Sequence, residues 1–158
     1  IFISSNLVFD GKKPFNKVNE KTNPISEYGK QKLLVEKFIK TKNYNNFSII
    51  RFTKVIGENS KFIKNLKIKI LKKRRFIYNG EYFISPINIS KVCKIILKVI
   101  KNKNKGIFQA GGKKEYNLKE FIEKFLKSKN ILFKSLKYKK NNRINRHNSL
   151  DTFLPFKI

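Results

Sequence analysis

The chain has no methionine and no tryptophan, one alanine (Ala110), one cysteine (Cys93) and one histidine (His147). It carries only 10 acidic residues against 38 lysines and arginines. Each scarcity excludes something. A single cysteine rules out an internal disulfide, and Cys93, set in an apolar run, reads as a small core residue compatible with a reducing compartment. A single histidine leaves no basis for a histidine-built metal or nucleophilic centre, and His147 reads as an exposed bystander. Every apolar stretch is interrupted by lysine within a few residues, so no membrane span and no membrane partner are expected. The opening Ile1-Phe2-Ile3 has neither the charged region nor the cleavage site of a secretory leader, and a cytoplasmic protein is expected. The same opening, apolar and without Met, reads as the inside of a buried strand and suggests a chain that lacks its own N-terminal part.

The imbalance of charge, formally +28, raises the question of nucleic acid. The lysines are spread along every segment rather than gathered on one, and Asn, Ile and Phe are abundant with them. That is the composition of an A/T-rich coding sequence, so drift accounts for the charge and no specific nucleic-acid partner is expected. Sequence-independent attraction to polyanions at low salt remains a physical consequence.

What is present alternates. Ile1 to Ile3 and Phe47 to Phe52 read as short buried strands. Ser26 to Lys40, after the Asn23-Pro24 turn, has apolar residues at Tyr28, Leu34, Val35, Phe38 and Ile39, a helical stripe. Ser60 to Lys73 and Ile89 to Ile100 are helical by the same spacing. Arg75 to Tyr78 and Glu81 to Ile84 flank Asn79-Gly80, the pattern of a tight hairpin. Gly106 to Gly111 is a strand and a turn. Asn117 with Glu120 resembles a capping box opening a helix to about Lys127. Ile131 to Tyr138 reads as a last strand and Lys139 to Arg146 as an exposed segment. The order predicts an α/β fold with a mainly parallel sheet and flanking helices.

One stretch carries chemistry. Ser4 and Ser5 stand where the first strand ends. Tyr28 and Lys32 are four residues apart, hence on one helical face and roughly 6 Å apart along the axis. An ammonium beside a phenol favours the phenolate, and a hydroxyl close by can bond a carbonyl oxygen. The set suits proton transfer at an oxygen while a hydride moves on carbon.

These residues resemble a family. Ser4-Ser5-Asn6-Leu7-Val8-Phe9-Asp10-Gly11 is similar to the Ser-Thr-Asp-Tyr-Val-Phe-Asp-Gly of the RmlD-type dTDP-4-dehydrorhamnose reductases, within the extended short-chain dehydrogenase/reductases. Asn23-Pro24 through Tyr28-Gly29-Lys30-Gln31-Lys32-Leu33, with Glu36 beyond, resembles that family's Pro-x-x-x-Tyr-Gly-x-x-Lys-Leu and the Glu that follows. Arg51 to Gly57, Ser85-Pro86 and Arg146 to Thr152 match further segments. The resemblance implies the C-terminal portion of an NAD(P)-binding Rossmann fold, over residues 1–57, joined to a small α/β substrate-binding region with interleaved return strands, over 58–158. It implies that Tyr28 is the proton donor, that Lys32 binds the nicotinamide ribose, and that Ser5 holds the substrate carbonyl. Tyr28, Lys32, Arg51 and Thr53 would meet NADPH or NADH. Asn6, Val8, Phe9, Lys54 and Asn148 would meet a nucleotide-linked 4-keto-6-deoxy sugar.

No protein metal site is implied, although Mg2+ is allowed for the full-length parent, as is a homodimer. A nucleotide-sugar 4-epimerase uses the same groups, and a non-catalytic regulatory homologue keeps the same fold, so both stay open. A dehydratase is disfavoured, because Asn6-Leu7 stand where its Asp-Glu pair would be. Arg51 is open between a ligand contact and an ion pair. Asn148, Ser149 and Asp151 are open between substrate contact and capping a final helix. Three departures stand out: Asn6 for the family's Asp, Lys54 for its Trp, and Ser90 for its Asp. No G-x-G-x-x-G loop occurs in the sequence to seat a pyrophosphate, and Gly111-Gly112 lacks the third glycine. The 158 residues alone are therefore expected to be inactive.

Overall fold

The computed structural model describes residues 1–42, 46–71, 77–78, 82–129, 139–140 and 146–157. In chain order it forms β1 (Phe2–Ser5), a 3-10 turn (Asn6–Val8), α1 (Glu27–Thr41), β2 (Ser48–Phe52), β3 (Val55–Ile56) and α2 (Lys61–Leu71). There follow β4 (Ile77–Tyr78), β5 (Tyr82–Ile84), β6 (Ile87–Asn88), α3 (Ile89–Lys101) and β7 (Gly106–Ala110). The chain closes with β8 (Tyr116–Asn117), α4 (Leu118–Ser128), β9 (Lys139–Lys140) and β10 (Arg146–Asn148).

The centre is a parallel sheet in the order β1-β2-β7. Its middle strand, Ser48-Ile49-Ile50-Arg51-Phe52, is buried at every position, as a strand covered on both faces must be. Alternation then assigns its side chains to two faces. Ile50 and Phe52 pack with Phe108 and Ala110 of β7 and with Val92, Ile95 and Val99 of α3. Arg51, between them in sequence, points the other way and meets Glu36 of α1. The parallel α/β architecture expected from the alternation of elements is the one observed.

A second core lies beside the sheet. Leu66 of α2, Ile84 of β5 and Leu118, Ile122 and Leu126 of α4 bury one another. Here β5 pairs in parallel with β10 and antiparallel with β8. This corrects the expected hairpin. Ile77–Tyr78 pairs with Lys139–Lys140 instead of with Tyr82–Ile84, and the Asn79-Gly80 turn itself lies outside the described residues, as does the strand expected over 131–138. Long-range pairing with the C-terminal segment therefore outweighs the local turn signal.

The caps follow their chemistry. Ser26 Oγ accepts from the Gly29 amide at 3.1 Å at the start of α1, and Asn88 Oδ1 from the Ser90 amide at 2.8 Å at the start of α3. At α4, Asn117 accepts from the Lys119 amide at 2.9 Å, whereas the Glu120 carboxylate is drawn to Lys124 at 2.7 Å. Cys93 is exposed on α3, which corrects its expected burial: the helix turns Val92, Ile95 and Val99 inward, and Cys93 falls outside that stripe.

Candidate active site

The Ser4-Ser5 pair ends β1 at the C-terminal edge of the parallel sheet, the side on which open α/β sheets hold their ligands. The two hydroxyls part company there. Ser4 Oγ donates to Glu36 Oε1 at 2.5 Å. Ser5 Oγ accepts from the Leu7 amide at 3.2 Å and lies 3.3 Å from Asn6 Oδ1. Asn6 in turn donates through Nδ2 to Asn148 Oδ1 at 3.1 Å, across 142 positions of sequence. Asn148 Nδ2 is fixed by the Phe83 carbonyl at 3.1 Å.

These side chains line a cleft of about 460 Å³. The lining includes Ser4, Ser5, Asn6 and Tyr28 together with Thr53, Lys54, Phe62, Tyr82 and Asn148. Tyr28 is half exposed. Its neighbour Gly29 explains how the phenol is brought in: a Cβ at position 29 would run into the Leu7 carbonyl oxygen, so glycine lets α1 sit directly on the turn that follows Ser5. Lys32 is on the same helical face. Its ammonium donates to the Ile3 carbonyl at 2.9 Å and lies 5.5 Å from the centre of the Tyr28 ring. The geometry thus gathers a half-exposed phenol, a strand-end hydroxyl, an anchored ammonium and the Asn6–Asn148 amide pair, which is equipment for binding an oxygen-rich ligand and moving a proton at one of its oxygens.

Other expected residues are placed elsewhere. Val8 and Phe9, expected at the substrate, are buried in a small core with Leu150, because the 3-10 turn directs them beneath the sheet edge. Arg51 adopts the ion-pair alternative. Its guanidinium forks onto Glu36, Nε to Oε1 at 3.0 Å and Nη2 to Oε2 at 2.7 Å, and Nη1 donates to the Val18 carbonyl at 3.1 Å. Both side chains are almost wholly buried, at 2% and 0% exposure, and Arg51 is not part of the cleft lining. Thr53 lines the cleft while its hydroxyl donates to the Ser85 carbonyl. Asn148 belongs to β10, which corrects the capping alternative, and Ser149 bridges instead: its hydroxyl donates to Glu115 Oε1 at 2.6 Å and accepts from the Phe15 amide at 2.7 Å. His147 is no exposed bystander. It stacks on Phe83 at 4.8 Å and meets Glu115 Oε2 at 2.7 Å.

Part of the lining is not legible in the sequence. Tyr82 reads as a hairpin residue, and Ser60, Lys61 and Phe62 as part of an amphipathic helix; neither pattern marks a residue as cleft-lining. Burial pushes the Tyr82 phenol above its usual range, with Arg146 partly opposing. Burial also holds the Lys54 ammonium below the usual lysine range.

A nicotinamide cofactor is tested by these residues at one end only. Lys32 spends one of its three N–H donors on Ile3 and keeps two for ribose hydroxyls, and Tyr28 is open to the cleft, so the nicotinamide–ribose end fits. Among the described residues no cluster of three or more His, Cys, Asp or Glu could hold a metal ion, so the Mg2+ allowed by the resemblance has no ligand set there. No helix among the described residues is long and apolar enough to cross a membrane.

A family described as "RmlD substrate binding domain" matches residues 1–146. No curated protein sequence matches the chain. Among solved structures, a dTDP-4-dehydrorhamnose reductase from Clostridium acetobutylicum is 25% identical, with a TM-score of 0.76 over 94% of this chain and 55% of its own. The enzyme of the same name from Bacillus anthracis, in complex with NADP, is 20% identical with a TM-score of 0.83 over 96% of this chain and 55% of its own. A UDP-glucose 4-epimerase from Thermotoga maritima, with UDP-glucose, is 20% identical with a TM-score of 0.77 over 96% and 53%. The chain therefore spans about half the length of these solved relatives.

Proposed function

Because the chain belongs to the RmlD substrate binding domain family, we propose that it forms the sugar-side, proton-handling half of an NAD(P)H-dependent reductase acting on a nucleotide-linked 4-keto-6-deoxy sugar. The observation that carries this reading is the convergence of Ser5 and Asn6, Tyr28 and Asn148, from three separate segments, on one cleft. The roles follow from donor geometry. Ser5 hydrogen-bonds the sugar carbonyl. Tyr28 gives its proton to the oxygen as negative charge gathers there. Lys32, held by the Ile3 carbonyl, offers its remaining N–H groups to a ribose. The Asn6–Asn148 pair orients sugar hydroxyls. The nicotinamide cofactor, when bound, supplies the hydride, and this chain's residues supply orientation and the proton. These 158 residues contain no G-x-G-x-x-G loop to seat a pyrophosphate.

The test uses the full-length product of the gene, NADPH and a dTDP-4-keto-6-deoxy sugar, with the product identified by NMR. Tyr28→Phe is expected to lower kcat by about 10²–10⁴-fold with an unchanged unfolding midpoint, since Tyr28 is half exposed. Undiminished turnover in that variant overturns the reading, and a 4-epimer formed in place of a reduced sugar assigns the cleft to epimerisation.

A further inference from the structure

Lys54 has no part in the chemistry above. It leaves the end of β2 directly after Thr53 and lines the same cleft as Ser5 and Tyr28. Its ammonium lies 5.0 Å from the centre of the Phe62 ring. Burial is the one influence on its ionisation, with no carboxylate acting on it among the described residues. The rest of the lining has the same sign. Lys61 is a second cation there, and neither Asp nor Glu is among the lining residues. Helix α2 opens at Lys61 with no acidic residue in its first turn, so no carboxylate there offsets the positive end of its dipole. Lys54 and Lys61 are both exposed to solvent, and an ammonium bonds an anionic oxygen more strongly than a neutral one.

We propose that Lys54 and Lys61 form an anion subsite in the cleft lining. Building on the reading of the preceding subsection, the subsite holds anionic oxygens of a nucleotide sugar while its carbonyl meets Ser5 and Tyr28. Two parts of such a ligand carry that chemistry: the diphosphate linkage, or a carboxylate on the sugar itself. The first keeps a 6-deoxy sugar as substrate; the second makes the substrate a uronic acid.

Calorimetric binding to the full-length gene product separates these without any turnover. The probes are UDP-glucose, UDP-glucuronic acid and dTDP-glucose, and the proteins are the wild type, Lys54→Met and Lys54→Arg. Removal of the charge is expected to weaken binding by about tenfold, with a shallower dependence on salt, and arginine is expected to restore most of it. Equal weakening of all three probes assigns the subsite to the diphosphate. Weakening confined to UDP-glucuronic acid assigns it to a sugar carboxylate. Unchanged affinity of Lys54→Met for every probe overturns the subsite and leaves the proposed function standing. Failure of the wild type to bind any of the three overturns both.

Discussion

Helices α1 and α3 cover opposite faces of the same central strand, and they do so by opposite means. Helix α3 buries Val92, Ile95 and Val99 against Ile50, Phe52 and Phe108, an ordinary apolar stripe. Helix α1 buries only Gly29 and Glu36. Its apolar residues Tyr28, Leu34, Val35 and Phe38 face outward, Leu34 with 69% of its surface exposed. What seats α1 is the Glu36 carboxylate, which accepts from Ser4 and twice from Arg51, together with the close approach at Gly29. The α3 face is held by area, which is tolerant of detail. The α1 face is held by directional bonds, which fix position but punish the loss of any one partner. The helix that carries Tyr28 is the one fixed by directional bonds.

The most severe way to break this contrast is Glu36→Gln. It leaves the Arg51 guanidinium buried beside a neutral amide, and about 3–5 kcal/mol of stability is expected to be lost, measured by urea unfolding. A double replacement, Glu36→Met with Arg51→Leu, is expected to recover most of that loss, because the uncompensated charge goes with its partner. On the other face, Ile95→Ala is expected to cost about 2–5 kcal/mol through transfer and cavity terms. Unlike Glu36→Gln, that loss has no charged partner whose removal restores it, a comparison that distinguishes area from charge.

The smallest effect concerns alkaline pH. Burial raises the Tyr82 phenol above its ordinary range. A raised folded pKa means that its contribution to stability is intact below the unfolded value. That contribution is lost as pH climbs through the folded one, since the unfolded chain ionises first. Stability is therefore expected to fall above about pH 10, and Tyr82→Phe to flatten that fall, as read from thermal midpoints in a pH series. If the fall persists in Tyr82→Phe, another group governs alkaline stability.

Much of this was legible in the sequence because the relevant signals were local. Four-residue spacing put Tyr28 and Lys32 on one helical face, and alternation of strand and helix implied parallel pairing. The failures were long-range. Nothing in Tyr82-Phe83-Ile84 announces that its partner is Arg146-His147-Asn148, so a persuasive Asn-Gly turn suggested a hairpin the chain does not make. Periodicity found the apolar positions of α1 but could not show that Leu34 and Phe38 face outward. Helical spacing likewise placed Cys93 in a helix without saying on which side. Glu36 was visible only as a familiar residue in a familiar place. Its bond to Arg51 required two elements to meet across the sheet. Val8 and Phe9 lie inside the most recognisable motif of the chain, yet they are core residues: a motif preserves the scaffold of a site along with its chemistry.

The contact at Gly29 has a consequence for how this site can vary. Position 29 is closed to every side chain, and the Leu7 carbonyl is its counterface, so α1 and the turn after Ser5 form a joint with little play. Sequence change can lengthen loops or recolour the rest of the lining, as Lys54 does, while that joint stays constant. A library aimed at new ligands should therefore be drawn from lining positions outside the joint: Lys54, Lys61, Phe62 and Tyr82.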